Sequence, residues 1–179
     1  QKEAVPQLMV KFGYKNTMAA PQIKKVVINT CFGKEAVIKT SGEREKMQNL
    51  ILQDLASISG QKPKLIKSKK SIAGFKLREG LEIAAMATLR KSKMWDFLER
   101  LVYLSFPRSR DFKGLDPKMI DKRGNLNIGF REHISFPEIF AEKEKTIFGL
   151  EITVVTSAKT KEEGLELYKL LGFPIKETK

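Results

Sequence analysis

LEIAAMATLR, residues 81–90, is the stretch that decides the fold, because its side chains alternate strictly between two sets. Successive side chains on a β-strand point to opposite faces, so each set occupies its own face. One face faces a core, and the other is open to solvent or to a partner. The inward set is Leu81, Ile83, Ala85, Ala87 and Leu89, and the outward set is Glu82, Ala84, Met86, Thr88 and Arg90.

Three other stretches alternate in the same way, and a shorter strand is expected around residues 64–66. In residues 23–32, Val26, Ile28, Thr30 and Phe32 share one face, while Lys25, Val27, Asn29 and Cys31 share the other. The inward residues of stretches 125–131 and 150–156 are Leu126, Ile128 and Phe130, and Leu150, Ile152 and Val154. The predicted open face therefore carries Asn29, Thr88, Arg90, Asn125, Asn127, Arg131 and Thr153.

Amphipathic helices are predicted between and around these strands. Capping boxes at Thr40 with Glu43 and at Thr160 with Glu163 begin two of them, and Ser92 caps another that ends before Pro107. Gly60 ends the helix that begins at Thr40, and Gly172 with Pro174 end the helix that begins at Thr160. A short N-terminal helix is ended by Gly13. The apolar stripes are Val5, Leu8, Met9 and Phe12; Met47, Leu50, Ile51, Leu55 and Ile58; Met94, Phe97, Leu98, Leu101 and Leu104; and Leu167, Leu170 and Leu171.

Strands with one apolar face, interspersed with amphipathic helices, predict a two-layer α+β fold. Its sheet is mainly antiparallel, with helices on one face, an open polar face and an extended basic loop at residues 67–80. At 179 residues, without internal repeats, the chain is expected to form a single domain over residues 1–179. Residues 107–124 hold scattered charge and little periodicity, so they are predicted to form a surface loop.

The densest charge lies between residues 60 and 93. Ten basic residues there oppose only Glu79 and Glu82, which gives +8 of the total net charge of +13. Such a density favours a polyanion as partner. Membrane-surface helices concentrate charge on one amphipathic helix, whereas this segment is interrupted by Pro and Gly, so nucleic acid is the better interpretation. A solvated lysine surface is the alternative. The ten are Lys62, Lys64, Lys67, Lys69, Lys70, Lys76, Arg78, Arg90, Lys91 and Lys93.

Signals for catalysis and cofactors are missing from the sequence. One histidine (His133) and one cysteine (Cys31) cannot supply a Cys/His zinc site, and acidic residues are scattered singly. There is no GxGxxG, and the glycine and Ser/Thr of a Walker loop are absent around Gly33. No apolar run approaches the roughly 18 residues of a membrane span. We expect a protein that is not an enzyme and has no cofactor, no metal and no membrane partner.

Nine stretches, in order along the chain, resemble the bacterial-type large-subunit ribosomal protein number five, the 5S-rRNA-binding family of the central protuberance. The combination of GQKP, KSxAGFKxR and RDFxGL is the most specific part. The stretches are KKVVIN (24–29), LASISGQKP (55–63), KSKKSIAGFKLREG (67–80), TLR (88–90), MWDFLERL (94–101), FPRSRDFKGL (106–115), GNLNIGFRE (124–132), FPEI (136–139) and GLEITVVTSAKTKEEG (149–164).

The resemblance implies a structural protein of a bacterial-type ribosome in the cytoplasm, with an organellar ribosome as the alternative source. Its implied partners are 5S rRNA, 23S-type rRNA, P-site tRNA and the small-subunit head protein number thirteen, and no DNA is expected. The implied rRNA contacts are Asn29, Gln61, Lys62, Lys69, Lys70, Ser71, Thr88 and Arg90. The implied tRNA contacts are Ile72, Ala73, Gly74, Phe75 and Lys76, and the implied intersubunit-bridge residues are Arg108, Arg110, Asp111, Phe112 and Lys113.

Two positions depart from the family pattern, since Cys31 and Lys91 stand where the family commonly has glycine. Both add a side chain near the expected RNA face. From the residues alone, Asn29 and Thr88 are either ordinary strand residues or RNA contacts. Two other functions stay open at this point: a nucleic-acid-processing or tRNA-modifying protein, which requires a carboxylate cluster or metal site, and an unspecific basic binding module.

Overall fold

A computed structural model describes residues 4–110, 112–139 and 147–176 of the chain. Its strands are β1 (Ile23–Cys31), β2 (Lys64–Lys67), β3 (Glu82–Leu89), β4 (Leu126–Phe130) and β5 (Leu150–Thr156). Its helices are α1 (Ala4–Phe12), α2 (Gly33–Ile38), α3 (Ser41–Ser59), α4 (Lys91–Arg100), α5 (Phe106–Arg108) and α6 (Lys161–Leu170).

The five strands form one antiparallel sheet in the order β2-β3-β1-β5-β4. In the central strand β1, Ile28 lies opposite Ala87 of β3 and Ile152 of β5. The predicted inward residues of the other strands and Ala85, Ala87 and Leu89 of β3 are buried, whereas Leu81 and Ile83 at the start of β3 are only half-buried. They share one core with the buried residues of α3, α4 and α6. The helices therefore cover one face of the sheet, and the predicted α+β fold with an open face is confirmed.

Helix α3 begins at the predicted capping box. The Glu43 carboxylate accepts hydrogen bonds from the Thr40 hydroxyl (2.8 Å) and backbone N–H (3.2 Å), which hold the pKa of Glu43 below its usual range. The prediction that Leu50 belongs to the buried stripe is wrong, because Leu50 is exposed and Gln48 is buried. At 3.6 residues per turn, Gln48 lies about 65° from the centre of the stripe and Leu50 about 95°.

Helix α4 departs from two predictions. Arg90 rather than Ser92 occupies the N-cap position, and the helical path continues past Pro107 through a π-helical turn (Leu101–Ser105) and the short α5. Pro107 is tolerated because it lies in the first turn of α5, where its missing N–H is not needed. The wider π turn shifts the side-chain positions, so Leu104 is exposed instead of buried and Ser105 is fully buried.

Helix α2 was not predicted, since six residues give little periodicity. It follows β1 directly, after the Phe32 N–H donates to the carbonyl of Ile83 (2.9 Å). Ala36 is its buried residue, and Ile38 is largely exposed. A Cβ added at Gly33 would lie only 3.3 Å from the Cβ of Ile83. Because glycine lacks this atom, the chain can turn closely against β3.

Residues beyond α5 return to the sheet at two anchor points. Leu115 is buried and exchanges hydrogen bonds with the C-terminal segment, donating to Pro174 (2.8 Å) and accepting from Lys176 (2.9 Å). Ile120 is also buried and forms a β-bridge with Leu126. The stretch is therefore held closely against the edge of the sheet on the β4 side.

The turn before β4 uses Asn125 internally. Its side chain donates to Asp121 (2.8 Å) and accepts from the backbone N–H of Thr156 (3.0 Å). Burial raises the pKa of Asp121, but the bonds from Asn125 and the Arg123 backbone outweigh it and hold that pKa below its usual value. Asn125 was predicted as a polar residue of the open face, and this is wrong because its amide is committed to the turn.

Helix α6 packs closely on the same turn. The Tyr168 hydroxyl donates to the carbonyls of Gly124 and Val154, both at 3.1 Å, and its burial raises the pKa of Tyr168. A Cβ added to Gly164 would lie 2.5 Å from Cα of Gly124. The two glycines therefore set how closely α6 approaches the start of β4.

Candidate nucleic-acid interface

The open face is organised in rows that the strand register fixes. Asn29 lies opposite Met86 and Glu151, and Thr88 lies opposite Val27 in the next row. Because these rows are two residues apart, Asn29 and Thr88 are diagonal neighbours on one face, roughly 7–8 Å apart. The alternation predicted their shared face, but the neighbours of Asn29 follow only from the pairing. The first row is Lys64, Met86, Asn29, Glu151 and Gly129, and the second is Thr88, Val27, Thr153 and Asn127.

Asn29 holds a polar atom without a partner near the middle of this face. Its Oδ1 is buried and has no hydrogen bond within residues 4–110, 112–139 and 147–176. An unsatisfied buried acceptor costs about 1–3 kcal/mol. An amide oxygen accepts only from donors, so it fits an exocyclic amino group or a ribose hydroxyl and not a phosphate.

Four of the predicted rRNA contacts lie where β3 ends. The Gln61 side-chain amide donates to the carbonyl of Thr88 (3.0 Å), which ties the segment after α3 to the end of β3. The Thr88 side chain is half-buried on the open face, while Lys62 and Arg90 are exposed. Neutral hydrogen-bonding groups and exposed cations therefore share this end of the sheet.

The basic loop, residues 67–80, is a hairpin-like extension beyond the other end of β3. Ser68 donates to Leu81 (2.7 Å) and accepts from Gly80 (3.0 Å) at its base. Farther out, Ile72 and Leu77 exchange backbone hydrogen bonds of 3.0 and 3.1 Å. These backbone hydrogen bonds join the two arms of the loop, which therefore extends from the sheet as a closed hairpin.

The side chains of this loop divide into those that hold it and those that face solvent. The Ser71 hydroxyl accepts from the Glu79 backbone (2.9 Å), so part of the bonding capacity of this predicted RNA contact joins the two arms of the loop. Lys69 and Lys70 are exposed. At the tip, Phe75 is 76% exposed, an unusual position for a large aromatic ring.

The structure separates the predicted rRNA residues into two groups. Thr88 and Glu82 mark the two ends of the open-face part of β3, which are roughly 20 Å apart at the rise of an antiparallel strand. Arg90, Gln61 and Lys62 lie at the first end, whereas the loop with Lys69 and Lys70 extends from the second. Asn29 lies between them. An extended polymer can contact both groups, and a small ligand cannot.

The cations of residues 60–93 are largely unpaired. Within the described part of the chain, one ion pair involves them, between Lys67 and Glu82 at 3.9 Å. Its side chains are 66% and 30% exposed, and such surface pairs contribute little. Most of the charge on this side is therefore available to phosphates.

The two departures from the family pattern have different structural consequences. Lys91 has a φ of +54°, the left-handed region that favours glycine. The usual glycine at this position therefore fits the backbone conformation at the start of α4. Cys31 is exposed at the end of β1, and its φ is not positive. Its side chain adds bulk to the open face without backbone strain.

Three of the predicted bridge residues, Arg110, Phe112 and Lys113, lie at the β4 edge, far across the sheet from β2. Arg110 forms an ion pair with Glu132 (3.5 Å), and the Phe112 ring stacks on Phe106 with centroids 4.9 Å apart. Arg108 and Lys113 are exposed, and Asp111 lies outside the described residues. Beside them a cleft of about 660 Å³ runs along residues 128–132.

Metal ligands do not gather within residues 4–110, 112–139 and 147–176, where no group of three or more His, Cys, Asp or Glu side chains could hold an ion. No helix in these ranges is both long enough and apolar enough to span a membrane.

Known protein families and individual proteins match this chain along nearly its whole length. The family described as "Ribosomal protein L5" matches residues 16–78, and the family that describes the C-terminus of the same ribosomal proteins matches residues 82–175. A "Large ribosomal subunit protein uL5" from Halothermothrix orenii is 50% identical over 99% of this chain and 96% of its own length. Proteins of the same name from Geotalea daltonii and Francisella tularensis subsp. novicida are 49% and 47% identical, each over 98% of this chain, with 94% and 95% of their own lengths covered.

These relatives span nearly the whole chain, and both halves of the family pattern are present in order. The expectations of a ribosomal, cytoplasmic protein that acts without catalysis are thereby confirmed. The chain belongs to the ribosomal protein L5 family and is a structural, non-enzymatic constituent of the large ribosomal subunit.

Proposed function

We propose that this protein binds 5S rRNA through its open sheet face and basic loop and helps to anchor that RNA in the central protuberance. The observation that carries the proposal is the polar open face between two groups of exposed cations, with Asn29 in its middle. The Oδ1 of Asn29 is buried and has no partner among the described residues, so the side chain would turn outward to meet RNA. A buried acceptor on a solvent-facing sheet is costly alone and favourable beside a donor. RNA offers such donors on its bases and riboses.

The two kinds of side chain would divide the work of recognition. Exposed lysines such as Lys69 and Lys70 would contact phosphates, which gives affinity without sequence preference. Asn29 and Thr88 would contact base edges or ribose, which gives preference for one RNA. Arg90, next to Thr88 at the end of β3, would join the 5S contact, and other exposed cations of residues 60–93, such as Lys62, would be available to 23S-type rRNA.

The tip of the basic loop, residues 72–76, is proposed to contact the P-site tRNA. Phe75 and Ile72 are exposed there, and Lys76 stands beside them. An exposed aromatic ring can stack on a base or pack against ribose, while the adjacent cation contacts phosphate. Because the closed hairpin carries the tip away from the sheet, this contact would be separate from the 5S site.

The opposite edge of the sheet is proposed to form the intersubunit bridge with the small-subunit head protein number thirteen. Arg110, Phe112 and Lys113 lie there, with Arg108 and Asp111 close to them in the sequence. The half-buried Phe112 beside exposed cations is a composition typical of protein interfaces. The proposed RNA-binding and protein-binding surfaces thus use different edges of one sheet.

The proposal is tested by the salt dependence of 5S rRNA binding. With about four to seven lysine–phosphate contacts, log K against log salt should have a slope of roughly −3 to −6. Lys69→Glu with Lys70→Glu should weaken binding far more than Lys46→Glu with Lys169→Glu, which makes the same charge change on α3 and α6. A slope near zero, or equal losses for the two double variants, would contradict the proposed interface.

A further inference from the structure

Among the described residues, backbone pairing covers the outer edge of β4 only at its start. The Asp121 N–H donates to the carbonyl of Asn125 (2.9 Å), and the Ile120–Leu126 bridge covers only the start of the strand. Backbone groups of alternate strand residues point to the same edge, so those of Asn127 and Gly129 point outward like the carbonyl of Asn125. Apart from the β4–β5 ladder, no backbone hydrogen bond reaches Gly129 from the described residues.

A cleft of about 660 Å³ lies directly along this edge. Its floor includes the buried side chains of Leu115, Ile128 and Phe130, and Phe112 forms part of one wall. The cleft thus combines an apolar floor with an accessible strand edge.

The rim of the cleft is cationic. Lys113, Arg131 and Lys176 line it and form no ion pair with the described residues, while Arg110 is paired with Glu132 at 3.5 Å. Cations often protect an edge strand from aggregation, and here they also select the charge of anything that binds. A complementary occupant carries acidic side chains next to apolar ones.

We propose that this cleft binds an extended acidic segment of a partner protein, which adds to the sheet as a sixth strand beside β4. The inference rests on the proposed protein-binding role of residues 108–113 and specifies how the partner binds. Strand addition would satisfy both N–H and C=O groups of Gly129 and place alternate apolar side chains on the floor. A phosphate backbone could neutralise the rim, but it cannot donate to the outward carbonyls of β4.

The test uses a synthetic ten-residue peptide of alternating Glu and Val and the full-length protein. We expect saturable binding by fluorescence anisotropy and slowed hydrogen exchange at the amide of Gly129. A Lys/Val peptide should bind at least tenfold more weakly. A Glu/Val peptide that is N-methylated at alternate residues should also bind at least tenfold more weakly, because its pairing edge is blocked without any change to the protein. Equal binding of the N-methylated peptide, or no binding of the Glu/Val peptide, would overturn strand addition.

A charge variant separates this inference from the proposed bridge. Lys113→Glu with Lys176→Glu should reduce Glu/Val peptide binding at least tenfold, whereas Lys46→Glu with Lys169→Glu should change it by less than twofold. The same variants are then compared in the association of large with small ribosomal subunits. If association weakens but the peptide does not bind, the bridge stands and strand addition falls. If the peptide binds as expected and association is unchanged, strand addition stands and the bridge falls.

Discussion

At the scale of single residues, the open face contrasts two asparagines. The Oδ1 of Asn29 has no partner within the described ranges, whereas the Oδ1 of Asn127 accepts a hydrogen bond from the Thr153 hydroxyl (2.9 Å). Both side chains belong to the same face of the sheet. The Asn29 acceptor is therefore unsatisfied among the described residues, and the Asn127 acceptor is already satisfied.

Asn29→Ala should reduce the preference for 5S rRNA over an unrelated structured RNA. The expected loss is about 1–3 kcal/mol, the cost of leaving one polar group unpaired at an interface. Thermal stability should not fall, because the substitution removes an unsatisfied acceptor. Asn127→Ala is the matched control, with little effect on RNA preference. Equal weakening towards both RNAs would mean that Asn29 does not discriminate between them.

Lys91→Gly tests the strained backbone at the first residue of α4. A non-glycine residue in the left-handed region costs roughly 1–2 kcal/mol, so the variant should have a higher free energy of unfolding by about 1 kcal/mol. Asp96→Gly, an exposed position inside α4, should instead lower it by about 0.3 kcal/mol, because glycine is a weaker helix former than aspartate. Urea unfolding measures both values. A decrease for Lys91→Gly would show that its side chain contributes more than the strain costs.

At the scale of elements, α6 fixes the turn from which β4 begins. Because Gly164 and Gly124 lie in close contact, α6 is near enough to the turn for the Tyr168 hydroxyl to donate to the carbonyl of Gly124 (3.1 Å). The same carbonyl also accepts a hydrogen bond from the Thr156 hydroxyl (3.0 Å). Helix, turn and strand are thereby joined through one carbonyl. The cleft along β4 depends on this arrangement.

Gly164→Ala should destabilise the protein although alanine is the better helix former. Its methyl would lie 2.5 Å from backbone Cα of Gly124, and overpacking of this kind typically costs about 1–3 kcal/mol. Gly42→Ala in α3, where a methyl meets nothing within 4 Å, should instead stabilise by up to about 1 kcal/mol. Thermal melting distinguishes the two, and a melting temperature for Gly164→Ala at or above that of the parent would refute the close contact.

At the scale of the whole molecule, one sheet separates three surfaces. The order β2-β3-β1-β5-β4 puts the basic loop at the β2–β3 side and the cleft at the β4 edge, with the open face between them. The helices on the opposite face make the sheet a rigid support for all three. Each surface can therefore be altered with little effect on the others.

Replacing residues 72–75 with a Gly/Ser linker should leave the fold and the 5S rRNA affinity nearly intact, provided that Lys69 and Lys70 are kept. The base of the loop is held by the backbone bonds of Ser68, which the replacement does not touch. Ribosomes with this variant should release P-site tRNA roughly tenfold faster, since one aromatic stacking contact contributes about 1–3 kcal/mol. A loss of 5S binding as large as that of the Lys69/Lys70 reversal would assign the tip to the rRNA site instead.

What the sequence alone determined follows local periodicity. Alternation identified the faces of β1, β3, β4 and β5, and capping residues identified the starts of α3 and α6. The charge density of residues 60–93 predicts a polyanion as partner, which stays a prediction. The tertiary structure decided how these parts meet: the diagonal pairing of Asn29 with Thr88, the cleft beside β4, the left-handed Lys91 and the path through Pro107. Periods of 2 and 3.6 residues are local properties, whereas strand register and helix packing depend on residues far apart in the chain.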